Sequence, residues 1–396
     1  MQLLHLSLTN FKNIAETSLD FSPKINCFLG NNGMGKSNLL DAIHYLSFCK
    51  SFSGMTDAML LRRGEDFATA RALYMRKGMA EELTLGLARG RRKSLRRAGK
   101  EYTRLSEHIG TFPLVMAAPQ DIDLIRGAGE ERRRWMDMVI SQSDHRYLDS
   151  LIRYNSSLEQ RNRLLRDGCV DHLLYDAVEL AMDTAAAYIT GARREWVARL
   201  TDIFTRYHSA IAATSEDEAI TTPPATFALY HPAPAATSED VAITYRDSTE
   251  ESGATSLRDA LDNARRHDEI VRHTSVGPHR DDIDFSLDTM PLRRTGSQGQ
   301  CKTFTIALRM AQHDFLRHAT GMRPLLLLDD IFDKLDRDRV ERIMRLVTEK
   351  DTFGQTFITD TNRRHLDDII ALTGGDYRLW SVDRGEFTPI DPEPRQ

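Results

Sequence analysis

Gly30-Asn-Asn-Gly-Met-Gly35-Lys36-Ser37 spells the phosphate-loop pattern G-x-x-x-x-G-K-S in full. Glycines at those places let backbone N–H groups turn inward around a chain of phosphates. Lys36 reaches the β- and γ-phosphates, the Ser37 hydroxyl offers a hard oxygen to Mg²⁺, and a helix opening here adds its partial positive charge. At average composition the pattern arises by chance in about one chain in a hundred of this length. A glycine turn that binds nothing is therefore the poorer reading. The nucleotide-contacting set is Gly30, Asn31, Asn32, Gly33, Met34, Gly35, Lys36, Ser37 and Asn38. A second constellation, Leu325-Leu-Leu-Leu-Asp329-Asp330, is an apolar run that ends in two carboxylates. Ligands of open α/β sheets bind beyond the carboxyl ends of strands, where this pair would sit. Asp329 would share Mg²⁺ with Ser37, and Asp330 would polarise an attacking water. Lys36, Asp329 and Asp330 are thus the expected catalytic groups, for ATP with Mg²⁺.

Lys36 and Asp329 stand near opposite ends of the chain. Both must reach one Mg-ATP, so the intervening segment must leave the nucleotide-binding head and return to it. The elements fit that demand. Leu4, Leu6 and Leu8 alternate with polar residues as in a half-buried strand, and Ile25 to Leu29 runs straight into the loop. Leu39, Leu40, Ile43 and Leu46 then recur at helical spacing. Residues 50 to 110 read as hairpins. Residues 120 to 210 read as two or three antiparallel helices (Glu130 to Ser141, Tyr147 to Leu165, His172 to Tyr207), broken at Gly168. Residues 211 to 240 are rich in Ala, Thr, Ser and Pro. They hold a duplication: Ala212 to Thr221 returns as Ala235 to Thr244 with one residue changed. Two copies are too few for a solenoid, and we read a lengthened surface loop. Order is expected again from 256, with a helix from Leu257 to Arg272, a strand from Ile283 to Leu287, a helix from Phe304 to His318, the Leu325 strand, a helix around Val340 to Val347 and a short strand from Thr356 to Thr359. Strands alternating with helices argue for α/β. The expected architecture is an ABC-type P-loop head built from 1–118 and 273–396, with 119–272 inserted as a mainly helical arm.

Three weaker motifs gain weight from that frame. Gly296-Ser297-Gln298-Gly299-Gln300 opens a helix shortly before the Asp329 strand, where ABC-type ATPases carry the signature that faces the γ-phosphate of an opposing subunit. Ser297, with Gln298 and Gly299, would act in trans; taken alone, the motif reads as a plain helix N-cap. Lys334-Leu335-Asp336 matches a loop that contacts a partner head, and Gln120 is a candidate ligand after Pro119.

Composition narrows the class. The chain has 396 residues, 41% hydrophobic and 28% charged, with a net charge of −5. It is not a generally basic nucleic-acid binder, so polyanion contacts must come from local patches. Arg91-Arg-Lys-Ser-Leu-Arg-Arg97 and Arg132-Arg-Arg134 are such runs. Alone they read as solvated faces; as binding patches, Arg91, Arg92, Arg132 and Arg133 would follow a DNA backbone. The four cysteines lack disulfide or metal spacing and read as reduced thiols of a cytoplasmic protein. No apolar run is long enough for a membrane span.

The whole chain resembles the RecF family, recombination-repair proteins related to SMC heads. The features that carry the resemblance run in order: Leu8-Thr-Asn-Phe-Lys12-Asn13, the Gly30 to Asn38 loop, Arg132-Arg-Arg-Trp-Met-Asp137, Gly277-Pro-His-Arg-Asp-Asp282, Ser297-Gln-Gly-Gln300 and Leu326-Leu-Leu-Asp-Asp330. Cys301 stands where that pattern usually has a second glutamine, and Ser53 where it often has arginine. The resemblance implies further site residues at Lys12 and Asn13. It also implies an ATP-induced homodimer that clamps duplex DNA near single-strand gaps, slow DNA-dependent hydrolysis that releases it, help in loading a recombinase, and a place in the SOS response. RecR, RecO and RecA are the implied partners. His279 and Arg280 would serve the nucleotide or brace the arm. The rivals are a cohesin-like SMC protein, for which the insertion is too short, a transporter ATPase subunit, whose motifs lie closer together, and a nucleotide-gated clamp without hydrolysis.

Overall fold

The computed structural model describes residues 1–213, 240–333, 335–349, 352–372 and 375–390. The strands are β1 (Gln2–Phe11), β2 (Ile14–Asp20), β3 (Ile25–Leu29), β4 (Phe67–Arg76), β5 (Met79–Ala88), β6 (Ser94–Arg97), β7 (Lys100–Glu101), β8 (Leu114–Ala117), β9 (Val241–Arg246), β10 (Asp282–Leu287), β11 (Met290–Pro291), β12 (Leu325–Asp329), β13 (Thr356–Asp360), β14 (Tyr377–Asp383) and β15 (Glu386–Pro389). The chain divides into two compact units. One comprises Met1–Asp121, Ala210–Ala212 and Ile306–Gln396; the other comprises Ile122–Ser209 and Ala213–Thr305. Residues 273–305, expected with the head, group with the helical unit because β10 pairs along its length with β9.

The first unit joins both chain ends. Its antiparallel sheet runs β2-β1-β4-β5-β6-β7, and its mostly parallel sheet runs β15-β14-β3-β13-β12-β8. The helix Lys36–Phe48 lies in the core between them: Leu39, Leu40, Ile43 and Leu46 are fully buried in one cluster with Leu6 and Leu8 of β1 and Leu325 and Leu327 of β12. Each such side chain stabilises by about 1.5–3 kcal/mol relative to exposure, so packing at its apolar face fixes the helix that the phosphate loop opens. A register shift between Leu3 and His5 breaks the expected alternation, burying Leu3 in place of Leu4.

The second unit holds the helices Gly129–Ser143, His145–Asp167 and most of His172–Ala212, close to their expected extents. Gly168, at φ 66°, ends the second of them as the left-handed cap that glycine adopts without strain. Order resumes earlier than expected, at β9. The second decapeptide copy thus ends in a strand paired with β10, while the rest of the duplication lies largely outside the described residues. No helix among the described residues is long and apolar enough to cross a membrane.

Three histidines sit deep in the first unit. The N–H groups of His44, His108 and His313 donate to the carbonyls of Lys50, Leu46 and Pro324. Burial pushes each imidazole down to about 4. The folded rings stay neutral at pH values where the unfolded chain, with ordinary values near 6.5, takes up protons. Stability present above about pH 6.5 is therefore lost as the pH falls towards 4. Calorimetry is expected to show the melting temperature falling by more than about 5 °C between pH 7 and pH 5; an unchanged melting temperature would contradict these buried neutral rings.

Candidate functional site

β3 is buried within the parallel sheet, and the chain leaves it through Gly30 into the helix at Lys36. A Cβ at Gly30 would lie 2.3 Å from the Val382 carbonyl oxygen of β14, so only glycine fits beside that strand. Gly35 has φ 114°, and a Cβ there would press on the Asn13 side chain at 2.9 Å. Asn13 accepts from Asn38 Nδ2 (2.7 Å) and donates to the Met34 carbonyl (3.2 Å). The Gly385 N–H donates to the same carbonyl (2.7 Å). Asn13 and the β14–β15 turn thus hold the loop from outside. Lys12 pairs with Asp41 of the loop's own helix at 2.5 Å.

Lys36 is 5% exposed, and its Nζ donates to the carbonyls of Gly30 (2.6 Å) and Asn31 (3.0 Å). Ser37 Oγ donates to Asp329 Oδ1 at 2.8 Å across 292 positions of sequence. The two motifs therefore meet in one place. Parallel pairing makes this possible: β13 lies between β3 and β12, so all three strands end at the same edge of the sheet. Asp329 is buried and also accepts from Thr359 Oγ1 (2.6 Å) at the end of β13. Asp330 takes φ 49°, an unusual conformation for a non-glycine residue, and its N–H donates to the Thr359 carbonyl and hydroxyl.

The electrostatics follow from these neighbours. Burial holds Lys36 below its ordinary value, opposed by the charges of Asp330, Asp329 and Asp360. Burial raises the Asp329 carboxyl, offset by hydrogen bonds from Thr359 and Ser37. Burial and then the Asp360 charge raise Asp330. Several carboxylates crowd one buried ammonium, so a cation bound among them would favour their ionised forms. The donors beside Ser37 are a hydroxyl and a carboxylate, the hard oxygens Mg²⁺ prefers. No cluster of three or more acidic, histidine or cysteine ligands occurs among the described residues. Mg²⁺ usually takes one or two protein carboxylates and fills its shell with water and substrate phosphate.

Sequence reasoning did not assign Thr359 or Asp360 to the site. The signal was present, a short strand ending in Thr-Asp, but its place beside β12 is a matter of pairing. Asp360 also accepts from His365 Nδ1 (2.9 Å). Gln120 is exposed just past β8, the neighbour of β12. Asp336 N-caps the helix Arg337–Thr348, accepting from the Arg339 N–H (2.9 Å); Lys334 lies outside the described residues.

Ser297 belongs to the second unit. Its Oγ accepts from the Gln300 N–H (3.1 Å), and the Gln300 side chain accepts from the Ser297 N–H (3.0 Å). This reciprocal capping box opens the helix Gln298–Thr320, six residues before the expected start at Phe304. Ser297 and Gln298 are exposed, and Gly299 is half-buried.

The arginines expected to follow DNA separate into two kinds. Arg91 and Arg92 are exposed at the β5–β6 turn. Arg132 is a correction: it is 6% exposed, grips Asp282 with two bonds (2.7 and 2.9 Å) and donates to the carbonyls of Leu124 and Gly127. All its reach is spent inside the second unit, so no phosphate can approach it. Arg133 is half-buried and donates to the Asp281 carbonyl (2.8 Å). The Gly277–Asp282 motif is the hub of that unit. Arg193 binds the Pro278 carbonyl (2.7 Å) and Asp281 (2.9 Å), and Tyr245 donates to Asp281. His279 lies between the Tyr154 hydroxyl and the Thr274 carbonyl, pushed down to about 4 by burial. Arg280 is exposed and also reaches the Thr274 carbonyl (3.2 Å).

The family model described as RecF/RecN/SMC N terminal domain matches residues 2–375. A relative from Parabacteroides distasonis, named DNA replication and repair protein RecF, is 44% identical over 391 residues, covering 99% of this chain and 100% of that protein. The protein of that name from Bacteroides fragilis is 42% identical over the full length of both. Among solved structures, the recombination mediator protein RecF with ATP, described in the RecFOR pathway, superposes with a TM-score of 0.82 at 25% identity and 98% coverage of both chains. An Smc head bound to the C-winged helix domain of ScpA shares the fold, with a TM-score of 0.56 at 14% identity, covering 98% of this chain and 97% of that one.

Proposed function

The chain belongs to the RecF family of DNA replication and repair proteins, with the α/β ABC-type ATPase head and helical insertion of that group, and from this premise we propose an ATP-gated DNA clamp of recombinational repair. The observation that carries the reading is the Ser37–Asp329 contact, which unites the phosphate loop with the paired carboxylates. Lys36 neutralises the β- and γ-phosphates, the loop amides from Gly30 to Asn38 cradle them, and Asn13 keeps the loop in shape. Ser37 and Asp329 would hold Mg²⁺, which supplies charge neutralisation on the phosphates. Asp330 orients and polarises water against the γ-phosphate, and Thr359 holds the Asp329 carboxylate with its hydroxyl and anchors Asp330 by its backbone N–H at the sheet edge.

Binding alone does not complete the site. Ser297 and Gln298, exposed at a capped helix start, offer the Ser297 hydroxyl and the Gln298 N–H to the γ-phosphate held by a second copy of this chain. Asp336 meets the second copy as well, Lys12 braces the loop's own helix through Asp41, and Gln120 answers to the nucleotide from the end of β8. Two copies closing on two ATP molecules clamp duplex DNA near single-strand gaps, with the helical unit as arm. Slow, DNA-dependent hydrolysis opens the clamp. RecR is the direct partner, and RecO and RecA act in the same cytoplasmic pathway, where the clamp helps load the recombinase.

Sedimentation with and without ATP and gapped duplex DNA tests nucleotide dependence, dimerisation and DNA binding together. Ser297→Arg is expected to leave ATP affinity within about threefold, an energy change under about 1 kcal/mol. The same variant should lose the ATP-induced dimer, because the larger cation blocks close approach to the opposing phosphate. A Ser297→Arg protein that still dimerises with ATP removes Ser297 from the seam.

A further inference from the structure

One corner of the antiparallel sheet carries features that the nucleotide site does not use. The turn after Leu61 and the β5–β6 turn lie side by side there: the Arg89 N–H donates to the Asp66 carbonyl (2.9 Å), and Phe67 pairs with Ala88. The two turns present Arg62, Arg63, Arg89, Arg91 and Arg92. The acids among them are engaged: Asp66 accepts from Arg89 Nε (3.1 Å), and Glu65 accepts from Asn10 (3.3 Å). Arg63, Arg91 and Arg92 are exposed and make no ion pair among the described residues. On a chain of net charge −5 this is a concentrated positive corner.

Phe67 stands in its midst with 49% of its surface exposed. A lone exposed phenylalanine is ordinary; the setting makes this one informative. Buried positions of β4 alternate as Ala68, Ala70, Ala72 and Tyr74, so Phe67 projects on the opposite, solvent side of the sheet. Its neighbours on that side are small: Ala88 directly across, then Thr69 beside Gly86 and Thr9. These short strand neighbours leave the face of the ring open along the sheet. The corner is also tied to the phosphate loop. The Arg62 N–H donates to the Asn10 carbonyl and the Lys12 N–H to the Leu60 carbonyl, and Lys12 directly precedes the loop-bracing Asn13.

We propose that this corner receives DNA where a duplex gives way to single strand, with Arg63, Arg91 and Arg92 on phosphates and Phe67 stacked on an unpaired base. Charge selects a polyanion. The aromatic face selects an unstacked base, because the bases of a continuous duplex already cover one another. This rests on the DNA-clamp reading and gives it a physical source of gap preference.

Fluorescence anisotropy of the full chain with ATP, on continuous duplex, gapped duplex and single strand across a salt series, tests it. Charge reversal by Arg91→Glu with Arg92→Glu is expected to weaken every DNA at least about tenfold and to lower the salt slope by about 2. Phe67→Ala is expected to weaken gapped DNA by about fivefold or more, with under about twofold change on continuous duplex. Phe67→Tyr keeps a stacking face and retains the preference. ATP affinity and melting temperature, which the exposed ring does not govern, should stay at wild-type values. An unchanged gapped-to-duplex ratio in Phe67→Ala, or a wild type with no gap preference, overturns this inference while the clamp stands. A wild type that binds no form of DNA overturns both.

Discussion

Lys36→Met is expected to weaken ATP binding at least about 30-fold, and titration calorimetry of the folded variant should register no saturable heat at micromolar nucleotide. The size follows from burial. Lys36 is almost wholly enclosed, held by two loop carbonyls and faced by Asp329, Asp330 and Asp360. Removing one partner of a buried, hydrogen-bonded charge pair costs about 2–5 kcal/mol, because the other charge is left uncompensated. Here the loss is doubled in kind: the triphosphate loses its ammonium, and the carboxylates face it without a mediator. Methionine preserves the length of the side chain and most of its apolar contact, so the helix Lys36–Phe48 keeps its packing. Near-wild-type affinity in the methionine variant would separate this loop from the phosphates.

Asp330→Asn is expected to lower ATP hydrolysis by about a hundredfold or more while ATP binding changes by less than about threefold. A positioned carboxylate acting on a proton contributes about 10²–10⁴-fold, and the amide cannot take that proton. Asparagine is also among the residues that best tolerate φ 49°, so the backbone has no reason to move. Burial and the Asp360 charge hold Asp330 above the ordinary carboxylate range. A carboxylate acts as base only when ionised, so wild-type hydrolysis should be lost as the solution is acidified and Asp330 takes up a proton. Phosphate release in the presence of gapped DNA measures the rate, and sedimentation should show the ATP-bound dimer accumulating. Wild-type phosphate release by Asp330→Asn would assign the base elsewhere and favour a clamp gated by binding alone.

The two variants divide the site along a physical line. Lys36 acts on the bound nucleotide in its ground state, whereas Asp330 acts on the water that attacks it. Loss of affinity in one and of turnover in the other would distinguish a site that only holds ATP from one that also cleaves it.

Much of this was legible in the residues themselves. Gly35 must be glycine because its φ is positive and Asn13 presses on it, and the G-K-S spacing announces that turn without any structure. The run Leu325 to Asp329 had to be a buried strand ending in acid, since four consecutive leucines leave no polar face. The helices of the second unit declared themselves through periodicity and the Gly168 cap. These features are local: they are set by backbone sterics and by apolar spacing over a few turns.

Burial and strand pairing were decided only in three dimensions. Arg132 and Arg91 look alike in sequence, each in a basic run, yet Asp282, 150 positions on, draws Arg132 inside while Arg91 stays in water. Thr359 became a partner of Asp329 because β13 pairs with β12, and β14 sits beside β3 although both belong to opposite ends of the chain. β9 needed β10 to declare itself a strand. Hydrogen bonds between distant segments and the closing of water away from a charge depend on which surfaces meet, and a linear pattern carries no term for that meeting. The residue types thus fixed the chemistry of phosphate binding, while the folded chain chose which of them face the nucleotide, which support it and which remain on the surface.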